Sequence, residues 1–317
     1  MRAIEIEQFG GPEVLQVVEI DDPVPGEGHA LIEVSLAGVN YADTHQAENS
    51  YLSAQTLPMI PGTEAAGTVD GRRVVAVTGT GGYAEKVVVP RASLVEIPEG
   101  VSDEQALALL VQGLTAWHLL RTSTHMAVGE SVLVHAAAGG VGTLAVQLAK
   151  RWGAGRVIAS ASSAEKRQLA LDLGADVAID GTSETLKDDI EAANGGQKVD
   201  VVLEMTGGSV TDQSLAALAP FGRLAYFGTA SRQAPSPVHL GGLMSRSRGV
   251  IGFWLAHCFA DTSGMIAAPL SELFGLVAQG ELRPITGPSY ALSDAPQAHI
   301  DMRERRTTGK VTLDVRR

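Results

Sequence analysis

The chain has 317 residues, of which 45% are hydrophobic and 19% charged, so it is not a disordered protein and two globular domains are expected. Its formal net charge of −12 and the short, interrupted basic run at 303–306 exclude a nucleic-acid partner, because binding phosphates requires clustered cations. Cys258 is the one cysteine, which excludes an intramolecular disulfide and a multi-cysteine metal site. The first seven residues are too charged for a signal peptide, and no apolar run reaches the roughly 18 residues of a membrane span, so we expect a cytoplasmic protein without a membrane partner.

The first hundred residues carry β-strand patterns. Residues 30–36 and 73–77 are β-branched runs separated by turns rich in glycine and proline, which predicts a small antiparallel barrel or sandwich. A serine N-cap followed three residues later by Gln105 then predicts a helix over 102–110. A second helix is expected after Gly113.

From about residue 130 the chain alternates strand and helix patterns. The segment 141–149 has apolar residues at the spacing of an amphipathic helix. Six strands with intervening helices predict a parallel, doubly wound sheet with right-handed crossovers. The predicted strands are 131–136, 156–161, 176–180, 199–204, 222–227 and 249–254. Beyond them we expect a helix at 269–280 and a last strand at 309–315 that returns to the first domain.

A glycine-rich turn, residues 136–142, joins the first of these strands to its helix. Small residues allow a pyrophosphate to approach the backbone, and the helix N-terminus offers unpaired N–H groups and a partial positive charge. We therefore predict a dinucleotide here; the alternative is a tight turn without a ligand. The predicted contacts are Ala138, Gly139, Gly140 and Val141.

The second strand of the series indicates which dinucleotide binds. NAD sites usually have an acidic residue there for the ribose 2′-hydroxyl, and 156–163 contains none. Hydroxyl groups and a cation suit a 2′-phosphate, which predicts NADPH as cofactor. The residues expected to bind it are Ser160, Ser162, Ser163 and Lys166, although Lys166 is alternatively a solvated helix residue.

Two further turns follow the fourth and fifth strands. They contain Thr206 and Gly207 in the first, and Phe227 and Gly228 in the second. Ligands bind at the carboxyl ends of strands in such sheets, so these turns are predicted to line the nicotinamide half of the site. Ordinary turn chemistry is the alternative for each.

Several motifs in this order resemble the quinone oxidoreductase (zeta-crystallin-like) branch of the medium-chain dehydrogenase/reductase superfamily. The matching segments are 9–15, 37–44, 61–67, 81–85, 113–116, 136–142 and 308–311. The resemblance implies an α/β fold with a GroES-like, β-rich catalytic domain at 1–112 and 256–317. Between these segments it implies a doubly wound Rossmann domain with a six-stranded parallel sheet at 113–255. It also implies NADPH, a homodimer or tetramer, and reduction of quinones by one or two electrons.

The resemblance further assigns individual residues. It implies that Asn40 and Tyr41 lie by the nicotinamide and ribose, that Thr115 lies close to the cofactor, and that Lys310 lies near the adenosine phosphates. The resemblance also implies that the stretch 162–166 binds the 2′-phosphate. Two departures stand out: the tyrosine that relatives often carry after the third strand is missing here, and the loop at 69–73 is short, which predicts a trimmed hairpin.

Alcohol dehydrogenases of the same superfamily use a catalytic zinc, and its ligands are missing here. No cysteine occurs near 37–40, and the Gly-His-Glu ligand segment reads Gly62-Thr63-Glu64. With only Glu64 and His45 near the place, we expect no metal and a pocket-wall or surface role for His45.

Without a Lewis acid, quinones and activated alkenes are better acceptors than alcohols, because the added hydride yields a delocalised anion. A hydrogen-bond donor near the acceptor oxygen would help. The candidate catalytic residues are Tyr51 and Asn40, with Tyr41 third; Tyr51 is alternatively a packed loop aromatic.

Three functions remain open from the sequence. The leading one is an NADPH:quinone oxidoreductase, and the second is an enoyl reductase acting on α,β-unsaturated carbonyls or thioesters. A non-enzymatic NADPH-binding protein is the third. The strand at 250–254 is expected to pair with its twin across a two-fold axis, which predicts a homodimer.

Overall fold

The computed structural model describes residues 1–260 and 264–317, and the chain divides into two units. Unit 1 consists of Met1–Val111 and Glu272–Arg317, and unit 2 of Gln112–Ser271. The second division therefore lies later in the chain than the boundary at 256 that the resemblance implied. No helix in the described parts of the chain is long and apolar enough to cross a membrane.

The strands alternate with helices mainly in the middle of the chain. In chain order they are β1 Arg2–Glu5, β2 Gln16–Glu19, β3 His29–Val39, β4 Glu64–Val69, β5 Arg72–Val77, β6 Lys86–Pro90, β7 Leu94–Glu96, β8 Ser131–Val134, β9 Arg156–Ala161, β10 Val177–Asp180, β11 Val199–Glu204, β12 Leu218–Tyr226, β13 Gly249–Gly252, β14 Thr286–Ala291 and β15 Lys310–Asp314. The α-helices are α1 Tyr41–Ala47, α2 Asp103–Leu107, α3 Leu114–His118, α4 Gly140–Arg151, α5 Ala164–Asp172, α6 Leu186–Ala193, α7 Gly208–Ala216, α8 Leu240–Met244, α9 Ala256–Ala260, α10 Ala267–Ala278 and α11 Ala295–Arg303.

Unit 1 is built on a mainly antiparallel sheet with the strand order β14-β15-β3-β4-β5-β7, and β6 also pairs with β3. The long strand β3 is antiparallel to β15, so the two sequence segments of the unit share one sheet. The loop predicted to be trimmed is a two-residue hairpin turn between β4 and β5: Asp70 and Gly71 both have positive φ, 50° and 77°. That geometry matches the right-handed twist of the flanking strands.

Unit 2 contains the predicted six-stranded parallel sheet, in the order β10-β9-β8-β11-β12-β13. Counted within this sheet, the order is third, second, first, fourth, fifth, sixth, which is the doubly wound order. Its core includes apolar side chains from strands and helices: Leu133, Ile158, Leu186, Ile190, Val202 and Leu224.

The predicted strand bounds agree best where hydrophobic runs are regular, and β9 and β11 match them fully. β8 ends at Val134, because Ala136 adopts a positive φ of 48° and begins the glycine turn. β12 begins earlier than predicted, at Leu218, which pairs with Val199 before the register shifts. β13 is shorter than predicted and ends at Gly252.

The helix predictions agree with the structure. The serine N-cap is confirmed, since Ser102 Oγ accepts a hydrogen bond from the Gln105 N–H at 3.2 Å. The helix expected after Gly113 is α3, and the φ and ψ of Gly113 itself, −66° and −48°, are also helical. Helical turns run from α2 through a π-helical segment, Ala108–Gly113, directly into α3.

Candidate functional site

The glycine turn of unit 2 has a defined backbone. The Ala137 N–H donates to Ser160 O at 3.0 Å, and the Gly139 N–H donates to Ala136 O at 2.8 Å. Gly139 is the N-cap of α4, and no side chain from the described residues caps this helix. The N–H groups of its first turn are therefore available to an anion.

The three glycines of the turn have different physical roles. A Cβ on Gly142 would lie 2.3 Å from Ala136 O, and one on Gly140 would lie 1.9 Å from Gln112 Oε1. Backbone packing therefore requires glycine at Gly142, whereas at Gly140 the contact is with the end of the flexible Gln112 side chain. A Cβ on Gly139 would have one close neighbour, Ala136 O, at 3.2 Å. The space that this Cβ would occupy is otherwise not filled by protein atoms.

The end of β9 carries the residues predicted to bind the 2′-phosphate. Ser163 caps α5, with its Oγ accepting from the Lys166 N–H at 3.3 Å. Ser160 is buried, and its Oγ would lie 2.6 Å from a Cβ on Gly181, so it packs within the sheet. Ser162 and Lys166 are only half-buried and remain the better candidates.

Arg167 adds a second cation at this strand end, which the sequence reasoning did not single out. Its guanidinium donates to Ala161 O at 3.3 Å and lies 3.6 Å from the Asp180 carboxylate. Hydrogen bonds from Thr182 and the charge of Arg167 hold the pKa of Asp180 below its ordinary value. This acid is therefore already paired, and its charge does not oppose a phosphate as an unpaired carboxylate would.

The turns after β11 and β12 lie next to each other at the carboxyl ends of their strands. The Phe227 N–H donates to Glu204 O at 3.0 Å, and a Cβ on Gly228 would lie 3.2 Å from Met205 Cβ. Gly207 has a positive φ of 87°, which favours glycine. The geometry thus brings Thr206, Gly207, Phe227 and Gly228 together at the carboxyl ends of β11 and β12.

Glu204 holds the turn after β11 in place, and this role was not identified from the sequence. The carboxylate is fully buried and accepts hydrogen bonds from the N–H groups of Thr206 at 2.6 Å and Gly207 at 3.3 Å, and from the Thr211 hydroxyl. A glutamate that ends a buried strand two residues before Thr-Gly-Gly is the signal that could have identified it. Nearby, His135 is hydrogen-bonded to Ser214 at 2.8 Å, and burial lowers the pKa of His135. Thr115 is also in unit 2, buried on α3.

In unit 1, Asn40 stands at the start of α1 with its side chain fully engaged. Its Nδ2 donates to Glu64 Oε1 at 2.8 Å and to Thr63 Oγ1 at 3.1 Å. A carboxamide has two N–H donors, so both are used within the protein. Asn40 is therefore a poorer donor to an acceptor oxygen than the sequence suggested, which leaves Tyr41 and Tyr51 as the candidate donors.

Lys310 lies in the buried interior of unit 1. Its side chain is fully buried, and its ammonium forms an ion pair with Glu64 and donates to Asn40 Oδ1 at 3.1 Å and Val39 O at 3.4 Å. These protein acceptors enclose the ammonium because β15 lies between β14 and β3 in the sheet. The place near the adenosine phosphates that the resemblance implied stays a prediction.

A second buried chain of polar groups adjoins Asn40, and it too was missed. The Tyr83 hydroxyl donates to Asp43 Oδ2 at 3.0 Å and lies 3.1 Å from His299 Nε2, while Asp43 Oδ2 also accepts from the Asn40 N–H at 2.8 Å. Burial raises the pKa of Asp43 to about 6 and lowers the pKa of His299 to about 4. The Asn-x-x-Asp spacing of a helix start is the signal that could have revealed Asp43.

Three rings form a half-buried aromatic group beside α1. The Tyr41 and His45 ring centroids are 5.6 Å apart, and those of His45 and Tyr51 are 6.4 Å apart. His45 Nδ1 lies 3.0 Å from Ser50 Oγ. The structure thus brings the rings of both candidate tyrosines close to the ring of His45. In the part of the chain that the structure describes, no three His, Cys, Asp or Glu side chains are grouped to hold a metal ion.

Comparisons with known proteins match both units. Residues 140–270 match the zinc-binding dehydrogenase family, and 26–99 match the alcohol dehydrogenase GroES-like domain family. A quinone oxidoreductase of Pseudomonas aeruginosa is 35% identical over 98% of this chain and 99% of its own length. The quinone oxidoreductase of Thermus thermophilus, solved also with NADPH, is 38% identical with a TM-score of 0.89, covering 99% of this chain and 100% of that one. The Escherichia coli quinone oxidoreductase complexed with NADPH is 34% identical with a TM-score of 0.92, again over 99% and 100%.

Proposed function

Because the chain belongs to the quinone oxidoreductase branch of the medium-chain dehydrogenase/reductase superfamily, we propose that it reduces quinones with NADPH and without zinc. The observation that carries this proposal is the turn at 136–142, whose crowded glycines and uncapped helix suit a pyrophosphate. The relatives solved with NADPH support the same cofactor. NADPH supplies the hydride; the protein binds it, orients it and stabilises the product anion.

The preference for NADPH over NADH is supported by the end of β9. No acid stands within 156–163 to receive a ribose 2′-hydroxyl. Lys166 and Arg167 bring positive charge there, and Ser162 adds a hydroxyl donor. A 2′-phosphate carries negative charge and several acceptor oxygens, so it gains charge-assisted hydrogen bonds at such a place.

Zinc independence is supported by the groups around Glu64. A catalytic zinc takes three protein ligands and an open position. Thr63 stands where the alcohol dehydrogenase segment has histidine, and the Glu64 carboxylate is already paired with the Lys310 ammonium. The acceptor oxygen therefore depends on hydrogen-bond donors, for which we propose Tyr41 and Tyr51.

The test is to mix the purified protein with NADPH and a panel of small quinones and follow the absorbance of the reduced nicotinamide. We expect consumption of NADPH with at least one quinone and no loss of rate after prolonged dialysis against a zinc chelator. The same panel extended to enones and enoyl thioesters decides between the two acceptor classes. Turnover with enones alone would replace quinones by activated alkenes, and binding of NADPH without any turnover would favour a non-enzymatic role.

We also propose a homodimer formed through β13. This strand lies at the edge of the six-stranded sheet and pairs only with β12 among the described strands. An edge strand presents backbone N–H and C=O groups that a second copy can pair with across a two-fold axis. Sedimentation of the wild type and of Val250→Pro tests this, because proline removes an N–H at the edge. A Val250→Pro variant that keeps the oligomeric state of the wild type would contradict it.

A further inference from the structure

We propose that Lys310 and Glu64 are positioning residues: together they fix the carboxamide of Asn40 and thereby the start of α1, which carries the donor Tyr41. The proposal concerns the acceptor side of the reaction and rests on the proposed function for its turnover readout. It gives Lys310 a place in the chemistry that differs from contact with the adenosine phosphates.

The charge balance of the cluster depends on Lys310. Lys310 and Glu64 both have side chains with 0% exposure. Glu64 Oε1 receives the Lys310 ammonium and Asn40 Nδ2, whereas its Oε2 has no hydrogen-bond donor among the residues that the structure describes. An ionised carboxylate in the protein interior needs a compensating charge, and the ammonium of Lys310 is in direct contact with it.

The same pair determines which way the Asn40 carboxamide points. Its Oδ1 faces the Lys310 ammonium at 3.1 Å, and its Nδ2 faces Glu64 Oε1 at 2.8 Å. Rotating the amide by half a turn would place the NH₂ group against the ammonium and the carbonyl oxygen against the carboxylate. Both contacts would then be repulsive, so the ion pair permits one orientation only.

The strands are built to make room for this arrangement. Gly38 on β3 is directly opposite Glu64 on β4. A Cβ on Gly38 would lie 2.6 Å from Glu64 Oε1 and 2.7 Å from its Cγ, closer than real Cβ contacts. Glycine in the Ala37-Gly38-Val39-Asn40 segment therefore reserves the space for the glutamate side chain.

The orientation of Asn40 is passed to α1 through the backbone. The Asn40 N–H donates to Asp43 Oδ2 at 2.8 Å, and Tyr41 is the first residue of the helix. Tyr41 in turn contacts the ring of His45, with centroids 5.6 Å apart. A displaced Asn40 would consequently displace the side of α1 that carries the proposed donor.

The experiment compares Lys310→Met with the double variant Lys310→Met/Glu64→Gln, using Lys187→Met, at a solvent-exposed ion pair, as the matched control. Lys310→Met alone should lower the denaturation midpoint, because it leaves a buried carboxylate unpaired. The double variant contains no unpaired charge and should recover much of that midpoint. We expect its kcat to stay at least tenfold below wild type, its Kd for NADPH to change less than twofold, and the control to match wild type in all three.

Two further results would overturn the proposal. A double variant that recovers both the midpoint and kcat would mean that the pair is merely structural. A Kd for NADPH raised tenfold or more at unchanged kcat would return Lys310 to the phosphates. If the wild type turns over no acceptor, the proposed function fails, and the positioning role is tested instead by hydrogen exchange of the Asn40 side-chain amide. Faster exchange in the double variant than in wild type supports the positioning role. Equally slow exchange in both refutes it.

Discussion

Replacing Gly142 by alanine tests whether the glycine turn is as tightly packed as the structure indicates. The new Cβ would lie 2.3 Å from Ala136 O and 2.6 Å from Ala137 Cα, both backbone atoms, whereas real Cβ contacts essentially never fall under 3.0 Å. The strand–helix junction must therefore open by about 0.7 Å, and overpacking of this kind costs about 1–3 kcal/mol. Alanine returns about 1 kcal/mol through helix propensity. Because the contacts are with backbone atoms, the cost of overpacking lies near the upper end of this range. We therefore expect the free energy of unfolding to fall by about 2 kcal/mol in total.

The assay is urea unfolding, followed by circular dichroism, together with titration of NADPH fluorescence. Gly139→Ala is the matched control, because its Cβ would meet only Ala136 O at 3.2 Å. The control should keep its free energy of unfolding within about 1 kcal/mol of wild type. It should nevertheless bind NADPH at least tenfold more weakly, since we propose that the pyrophosphate approaches the open side of Gly139, which the methyl group would occupy. Equal stability of Gly142→Ala and Gly139→Ala would refute the packing argument, and unchanged NADPH affinity in Gly139→Ala would refute the placement of the ligand.

Three further changes have definite expected results. Glu204→Gln replaces a carboxylate oxygen that accepts a hydrogen bond from the N–H of Thr206 or Gly207 by an NH₂ group. The free energy of unfolding should therefore fall by about 1–3 kcal/mol, and NADPH should bind more weakly in titrations. An unchanged Kd for NADPH would contradict the role of this turn. Lys166→Glu should raise the Kd for NADPH at least tenfold more than the Kd for NADH, and equal effects would refute the 2′-phosphate placement. Burial raises the pKa of Asp43 to about 6 from an ordinary 3.8, so the native state binds this proton more tightly than the unfolded state does. The resulting stability is fully present below about pH 3 and is lost as the pH rises through 6. Relative to Asp43→Asn, the wild type should lose about 2 kcal/mol between pH 4 and pH 7 in denaturation curves, and a constant difference would contradict it.

The features predicted from sequence are those that depend on neighbours in the chain. Strand runs such as 156–161 and 199–204, the glycine turn and the absence of an acid from 156–163 are each local patterns, so periodicity and spacing were enough to identify them. The helix after Gly113 was predicted, but not the helical turns that continue through Gly113, because one glycine costs only about 1 kcal/mol in a helix, which packing can offset.

The features that were missed depend on distant residues. Lys310 and Glu64 are separated by 246 positions, and Tyr83 and His299 by 216. No spacing rule connects such pairs, and the identity of a lysine says nothing about whether its ammonium is buried. Asp43 and Glu204 are intermediate cases, since each stands at a helix start or strand end that the sequence does reveal.

The division of unit 1 into two sequence segments has a consequence for the order of folding during synthesis. β3, β4 and the whole of unit 2 are made before β15, which has to enter the sheet beside β3 at the end. Because domains generally fold as they emerge, unit 2 has its own sheet and core before the last strand exists. The contacts of Lys310 with Glu64 and Asn40 therefore form only when β15 enters the sheet. A chain that ends before residue 310 would have a folded nucleotide-binding unit, but the residues proposed to act on the acceptor would not be in position.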